Sequence, residues 1–137
     1  MQFQKTTEYA IRVMVYLAKN RHKRLSAFRL HKALNIPYKY LSRLMSKLAA
    51  GGLLDVLPGK IGGYKIAKDL NSIYLYQIAE LVEGLEYLDQ CVLGFSECSD
   101  ENPCILHDQW SKLRAEIKNM LYKTTLADFD YNEINKY

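Results

Sequence analysis

Three cysteines and one histidine carry the chemistry legible in this chain. Six residues separate Cys91 from Cys98, five separate Cys98 from Cys104, and two separate Cys104 from His107. The thiol count is odd and every cysteine falls between positions 91 and 104, so a disulfide framework does not account for them. Thiolates are soft ligands suited both to zinc and to iron-sulfur clusters. Three Cys plus one His is a closed zinc set, although zinc knuckles of about two to four residues are missing. A metal-free thiol switch, or plain loop cysteines, is a third reading, and spacing alone leaves all three open. His22 and His31 stand apart from this group and receive no role.

The elements around these residues must deliver them to one place. The stretch from Gln90 to Asn102 holds the first two cysteines, shows little periodicity and predicts a loop. Asn102 as N-cap and Pro103 at the first helical position then predict a long final helix. On that reading Cys104 and His107 lie one turn apart on one face, near a helix end that favours thiolate. Along the helix Leu106, Trp110, Leu113, Ile117 and Met120 alternate spacings of four and three. That seam packs along another helix. The expected partner is the same helix of a second subunit, with packing on the first helix of the chain as the alternative.

Upstream, Ala10, Ile11, Met14, Val15, Leu17 and Ala18 predict a helix from Thr6 to Asn20, with Thr6 or Thr7 as its cap. Ser26 suits the N-cap of a second, short helix whose buried face carries Leu30, Ala33 and Leu34. Asn35 fits a left-handed turn, and Pro37 the first position of a third helix with the inward stripe Leu41, Leu44, Met45 and Leu48. Gly51 and Gly52 end it. This is a helix-turn-helix pattern whose second helix turns Tyr38, Lys39, Ser42, Arg43, Ser46 and Lys47 outward. Leu53 to Leu57, the turn Pro58 to Gly63, and Tyr64 to Ala67 follow as a β-hairpin, completing a winged helix. Ile78, Ala79, Leu81 and Val82 mark one more helix, ended by Gly84. The fold class is therefore mainly α with a small β-hairpin. Its expected organisation is a winged-helix DNA-binding domain over 1–84, a cysteine loop over 85–103, and a dimerisation helix with a tail over 104–137.

The net charge of +4 hides an asymmetry. Residues 1–68 carry 14 Lys or Arg against two acids, whereas residues 69–137 carry five bases against 13 acids. A basic front half is the footprint of a polyanion-binding surface, since neutralising phosphates releases condensed counterions. No apolar run approaches the roughly 20 residues of a membrane span, and the opening residues lack a signal-peptide layout, so the cytoplasm is the expected compartment. No Ser/His/Asp set, phosphate loop or carboxylate pair stands out. An enzyme with a small-molecule substrate is therefore not expected; duplex DNA is the expected partner.

Lys5-Thr6-Thr7-Glu8-Tyr9-Ala10, Gly62-Gly63-Tyr64, Val82-Glu83-Gly84, the three cysteines and Thr125-Leu126-Ala127-Asp128 occur in this order along nearly the whole chain. In these pieces the sequence resembles the IscR and NsrR family of bacterial iron-sulfur regulators. The resemblance implies a homodimer with crossing long helices, in which Cys91, Cys98 and Cys104 bind a 2Fe-2S or a 4Fe-4S cluster, the former favoured. It also implies two possible fourth ligands. A histidine at the position of His107 completes the site in IscR-like members, whereas in nitric-oxide-sensing members an acidic residue at the position of Glu8 reaches across from the other subunit. His107 is the expected ligand and Glu8 the alternative. The first cysteine gap is one residue longer than in IscR. At the wing, Pro58 stands where relatives carry an arginine and Lys60-Ile61 interrupts the glycines, so Lys60 is expected to meet backbone charge rather than read groove width.

The resulting expectation is a homodimeric transcription regulator, a redox, iron or nitric oxide sensor whose cluster state controls binding to a palindromic operator, most simply as a repressor. Lys39, Ser42 and Arg43 would read bases, and Tyr38, Lys47 and Lys60 would fix register on phosphates. A zinc- or thiol-based regulator of the same fold is the nearer rival. An iron-sulfur carrier or assembly partner docking an acidic protein is the more distant one.

Overall fold

The computed structural model describes residues 2–131, and the end of the tail expected over 104–137 lies outside them. The first helix, α1 (Lys5–Lys19), opens at Gln4 rather than at Thr6 or Thr7. Its free N–H groups need acceptors, and they find one far along the chain. The Glu83 carboxylate accepts from the Gln4 N–H at 3.1 Å and from the Thr7 hydroxyl at 2.8 Å. Thr7 is fully buried; it ties α1 to the end of a later helix instead of capping its own. A carboxylate at this helix end also complements the helix dipole.

Helix α2 (Ala27–Leu34) is capped by Ser26, whose hydroxyl accepts from the Arg29 N–H at 3.1 Å. Asn35 takes the left-handed conformation at φ 55°, which lets the chain turn into α3 (Tyr38–Ala50). Pro37 sits one position ahead of the first helical residue, as N-cap. The stripe of Leu41, Leu44, Met45 and Leu48 is buried, and Gly51 and Gly52 end the helix, the latter at φ 80°.

Strands β1 (Leu54–Leu57) and β2 (Gly63–Ile66) form an antiparallel hairpin, with Leu54 opposite Ile66 and Leu57 opposite Gly63. Leu25 adds a bridge to Tyr64 through two backbone bonds of 3.0 and 2.8 Å. Gly63 is required where the wing meets that bridge: at φ 137° a side chain would be strained, and its Cβ would sit 2.7 Å from the Leu25 carbonyl carbon. Arg24 holds both strands, pairing with the Asp55 carboxylate and donating to the carbonyls of Asp55 and Gly63.

Helix α4 (Leu75–Val82) ends at Gly84, φ 81°. A 3-10 turn, Glu86–Asp89, leads into the cysteine loop, and α5 (His107–Lys123) follows. A last 3-10 turn, Leu126–Asp128, returns to α4: the Leu126 N–H donates to the Ile73 carbonyl at 3.0 Å, and its side chain is fully buried. The described residues are thus mainly helical with one two-stranded sheet. A large apolar core joins α1, α2, α3, the hairpin and α4. A smaller one gathers Ala79, Leu85, Leu88 and Leu121, with Ile117 against it. Among the described residues, no helix is long and apolar enough to cross a membrane.

Candidate functional site

The final helix starts later than Asn102-Pro103 suggests. Asn102 closes a tight turn instead: its backbone N–H donates to the Ser99 carbonyl at 3.1 Å, its side-chain amide donates to the Glu97 carbonyl at 3.2 Å, and its own carbonyl accepts from Ser99 at 3.2 Å. With its side chain spent there, Asn102 cannot cap, and the helix begins at His107. Cys104 therefore belongs to the loop rather than to the helix face, and Leu106 is the N-cap rather than a residue of the seam.

The turn nevertheless brings the thiols together. The sulfurs of Cys91, Cys98 and Cys104 all lie within 4.8 Å of one another, each residue partly buried. Cys91 and Cys104 are 3.6 Å apart, and His107 Nδ1 is 3.2 Å from the Cys98 sulfur. On its other side His107 Nε2 is 2.8 Å from Asp100 Oδ1. A carboxylate only accepts, so Nε2 carries a proton toward Asp100, and in the neutral ring the Nδ1 lone pair faces the Cys98 sulfur. Asp100 thereby sets the tautomer and orients the ring, as carboxylates do for metal-binding histidines. The sequence held no signal for this pairing beyond the presence of an acid in the loop.

Burial works to raise the Cys91 thiol. The backbone N–H groups of Phe95 and Leu93, with the thiols of Cys104 and Cys98, outweigh it and bring Cys91 down to about 7. For Cys98 a backbone bond from Cys104 lowers the thiol, but burial and the two neighbouring thiols leave it raised. One thiol of the set is therefore already prone to ionise at neutral pH, as a metal ligand requires. The cleft around the set is about 290 Å³ and is walled by Asp89, Ser99, Trp110 and Arg114. Trp110 donates its indole N–H to the Gln90 carbonyl at 3.0 Å, and Lys118 pairs with Asp89. Both bonds tie the start of the loop to α5.

The donor set fits a metal centre: three thiols converge, and the His107 imidazole nitrogen reaches one of them, Cys98, with a carboxylate behind the ring. The 3.6 Å separation of the Cys91 and Cys104 sulfurs matches the edge of a tetrahedron about a single metal ion at Zn–S of about 2.3 Å. A cluster carries its own sulfides between irons and asks for wider spacing. The loop, lacking regular structure from Gln90 to Leu106, can supply it. Neither His107 nor Glu8 belongs to the mutually close group of ligand atoms; within the chain His107 touches Cys98, whereas Glu8 pairs with Lys5 at 2.8 Å on α1.

On the opposite half of the molecule Tyr38, Lys39, Arg43, Lys47 and Lys60 are exposed and Ser42 is half-buried. Not every base of this half is available to a partner. Arg24 holds the wing, and Arg12 donates to the Leu34 carbonyl at 2.9 Å. The seam residues of α5 divide: Leu113 and Met120 are about half exposed, while Ile117 lies against the small core. The one fully buried residue of α5 among those described is Leu121, outside the expected seam.

A helix-turn-helix with a hairpin wing, followed by a thiol triad on a loop, defines a winged-helix regulator. The chain belongs to the Rrf2 family, described as an iron-dependent transcriptional regulator, which it matches over residues 3–131. It is 32% identical over 130 residues to a chain of Aquifex aeolicus named for HTH-type transcriptional regulation, covering 93% of this chain and 90% of that one. It is 31% identical over 98 residues to the HTH-type transcriptional regulator IscR of Yersinia pseudotuberculosis, covering 72% of this chain and 59% of IscR. Among solved structures, the cysteine regulator CymR of B. subtilis superposes with a TM-score of 0.77 at 24% identity, over 93% of this chain and 95% of that one. IscR of T. potens gives 0.75 at 23% identity, over 93% and 85%. The protein is a DNA-binding transcription regulator and not an enzyme.

Proposed function

We propose that this regulator works as a homodimer whose affinity for a palindromic operator is set by an iron-sulfur cluster, preferably 2Fe-2S, held by Cys91, Cys98, Cys104 and His107. The observation that carries the reading is the convergence of three thiols within 4.8 Å with Nδ1 of His107 3.2 Å from the Cys98 sulfur. The orientation of His107 favours it over Glu8 of a second subunit as the fourth ligand. When bound, the cluster supplies a redox-sensitive anionic centre that cross-links the loop.

The chain's own residues then transmit that cross-link. Leu88, just before the loop, packs with Ala79 and Leu121, so the loop's position bears on the contact between α4 and α5. At its far end α4 leads to Glu83, which holds the start of α1. Exposed Leu113 and Met120 on α5 find cover against the same helix of a second copy, and the angle of that pairing sets the distance between the two α3 helices. A ligand shifts such an equilibrium only through differential affinity for the two arrangements, which here means a loop closed on the cluster or open without it. In the operator complex Lys39, Ser42 and Arg43 read base edges while Tyr38, Lys47 and Lys60 contact phosphates.

Anaerobic purification followed by visible absorption and iron, sulfide and zinc analysis tests the centre. Iron and sulfide in equal amounts with visible colour are expected, whereas a colourless protein with one zinc per chain would establish the zinc reading that the 3.6 Å sulfur separation keeps as the second. Sedimentation at micromolar concentration tests the dimer.

A further inference from the structure

Neither the thiol site nor the row of cations explains the exposed rings where α2 meets α3. Phe28, the second residue of α2, is 57% exposed, and Tyr38, the first of α3, is 47% exposed. Their ring centroids are 6.4 Å apart, and His31 stands beside both, 5.9 Å from Phe28 and 5.8 Å from Tyr38. His31 is itself held, donating from Nδ1 to the Ile36 carbonyl at 2.6 Å. The Lys32 ammonium lies 5.5 Å from the centre of the Phe28 ring. These rings form a supported ledge rather than loose surface side chains.

We propose that Phe28, braced by His31 and Tyr38, packs on a thymine methyl in the major groove of the operator. The inference rests on the DNA-binding reading above and adds a specificity element to it. Three observations select this occupant. The cations Arg29, Lys32 and Lys39 flank the ledge and are exposed, which favours a polyanion over an apolar protein surface. The ledge adjoins the amino end of α3, the end that meets base edges when such a helix enters the groove. Phenylalanine offers no hydrogen-bonding group, and the thymine C5-methyl is the apolar feature that a base pair presents in that groove.

The test uses the full chain in its metal-loaded form and a pool of random-sequence DNA duplexes, from which the wild-type protein enriches preferred sequences. One enriched duplex is remade with deoxyuridine in place of every thymine, which removes only the methyls, and then with one replacement at a time. Wild-type protein should bind about fourfold more weakly for each contacted methyl removed, with the loss traced to one position in each half-site. Phe28→Ala, a change to the best helix former at an exposed site, should bind thymine and uracil duplexes equally. Phe28→Leu should retain part of the preference. Equal binding of both duplexes by the wild type, or full discrimination by Phe28→Ala, would overturn the proposal. Failure of the wild type to enrich any duplex would instead remove the proposed base reading by α3 on which it rests.

Discussion

The two halves of the molecule are built on different principles. In the winged helix, α1, α2, α3, the hairpin and α4 close on one core in which Met14, Leu30, Leu41, Met45 and Leu48 are almost wholly shielded. From 89 to 120, by contrast, no residue is buried. That segment is held by polar bonds at its edges, from Trp110 to Gln90, from Lys118 to Asp89 and from Asn102 to Glu97, and by the sulfur contacts at its centre. Apolar burial stabilises the first half whatever the metal state. The second half has little such burial, so a metal centre held by the thiols would serve as its core.

That contrast can be broken most forcefully in the core. Leu48→Ala should destabilise the winged helix by about 2–5 kcal/mol, read as an early denaturant midpoint for loaded and metal-free protein alike. Cys98→Ser should abolish metal retention, yet change the stability of the metal-free protein by no more than about 0.5 kcal/mol. If Cys98→Ser unfolded the helices as Leu48→Ala does, the two halves would not be separable. Asp100→Ala should weaken metal binding about 10–100-fold, measured by chelator competition, because the His107 ring would lose its orienting acceptor.

Two smaller effects sharpen the comparison. In metal-free protein Cys91, drawn down to about 7, should alkylate readily at neutral pH and slowly below about pH 6, where a thiol of that acidity is protonated. Cys98, whose thiol is raised, should lag, and peptide mapping after a short iodoacetamide pulse would show the order. On the DNA side, Arg43→Ala should relax base preference by about 1–3 kcal/mol, while Lys47→Ala should weaken binding to all duplexes and lower the salt slope by about one.

The same division governs what the sequence made legible. The stripe of α3, the Ser26 cap, the left-handed Asn35 and the glycine hairpin are local signals, each decided within a few residues by periodicity or backbone sterics. The core-building half is therefore largely readable, although Ala33, expected on the buried face of α2, is exposed, and the start of α1 falls at Gln4. Asn102-Pro103 misleads because Asn can close a turn as well as cap a helix, and only its bonds to Glu97 and Ser99 reveal which. The reach of Glu83 to Gln4 and Thr7 and that of Asp100 to His107 depend on how elements meet, which no spacing rule encodes. Leu126 lies in the Thr125-Leu126-Ala127-Asp128 segment that carries part of the family resemblance; its burial beside Ile73 gives that segment a packing role.

Trp110 is the sole tryptophan of the chain, and it lines the thiol cleft while gripping the loop at Gln90. The protein consequently carries a built-in optical reporter. A visible-absorbing cluster beside the indole would quench its emission by energy transfer, whereas zinc, which absorbs no visible or near-ultraviolet light, would leave it bright. Emission recorded during metal loading would follow the closing of the loop in real time, with no label and no substitution.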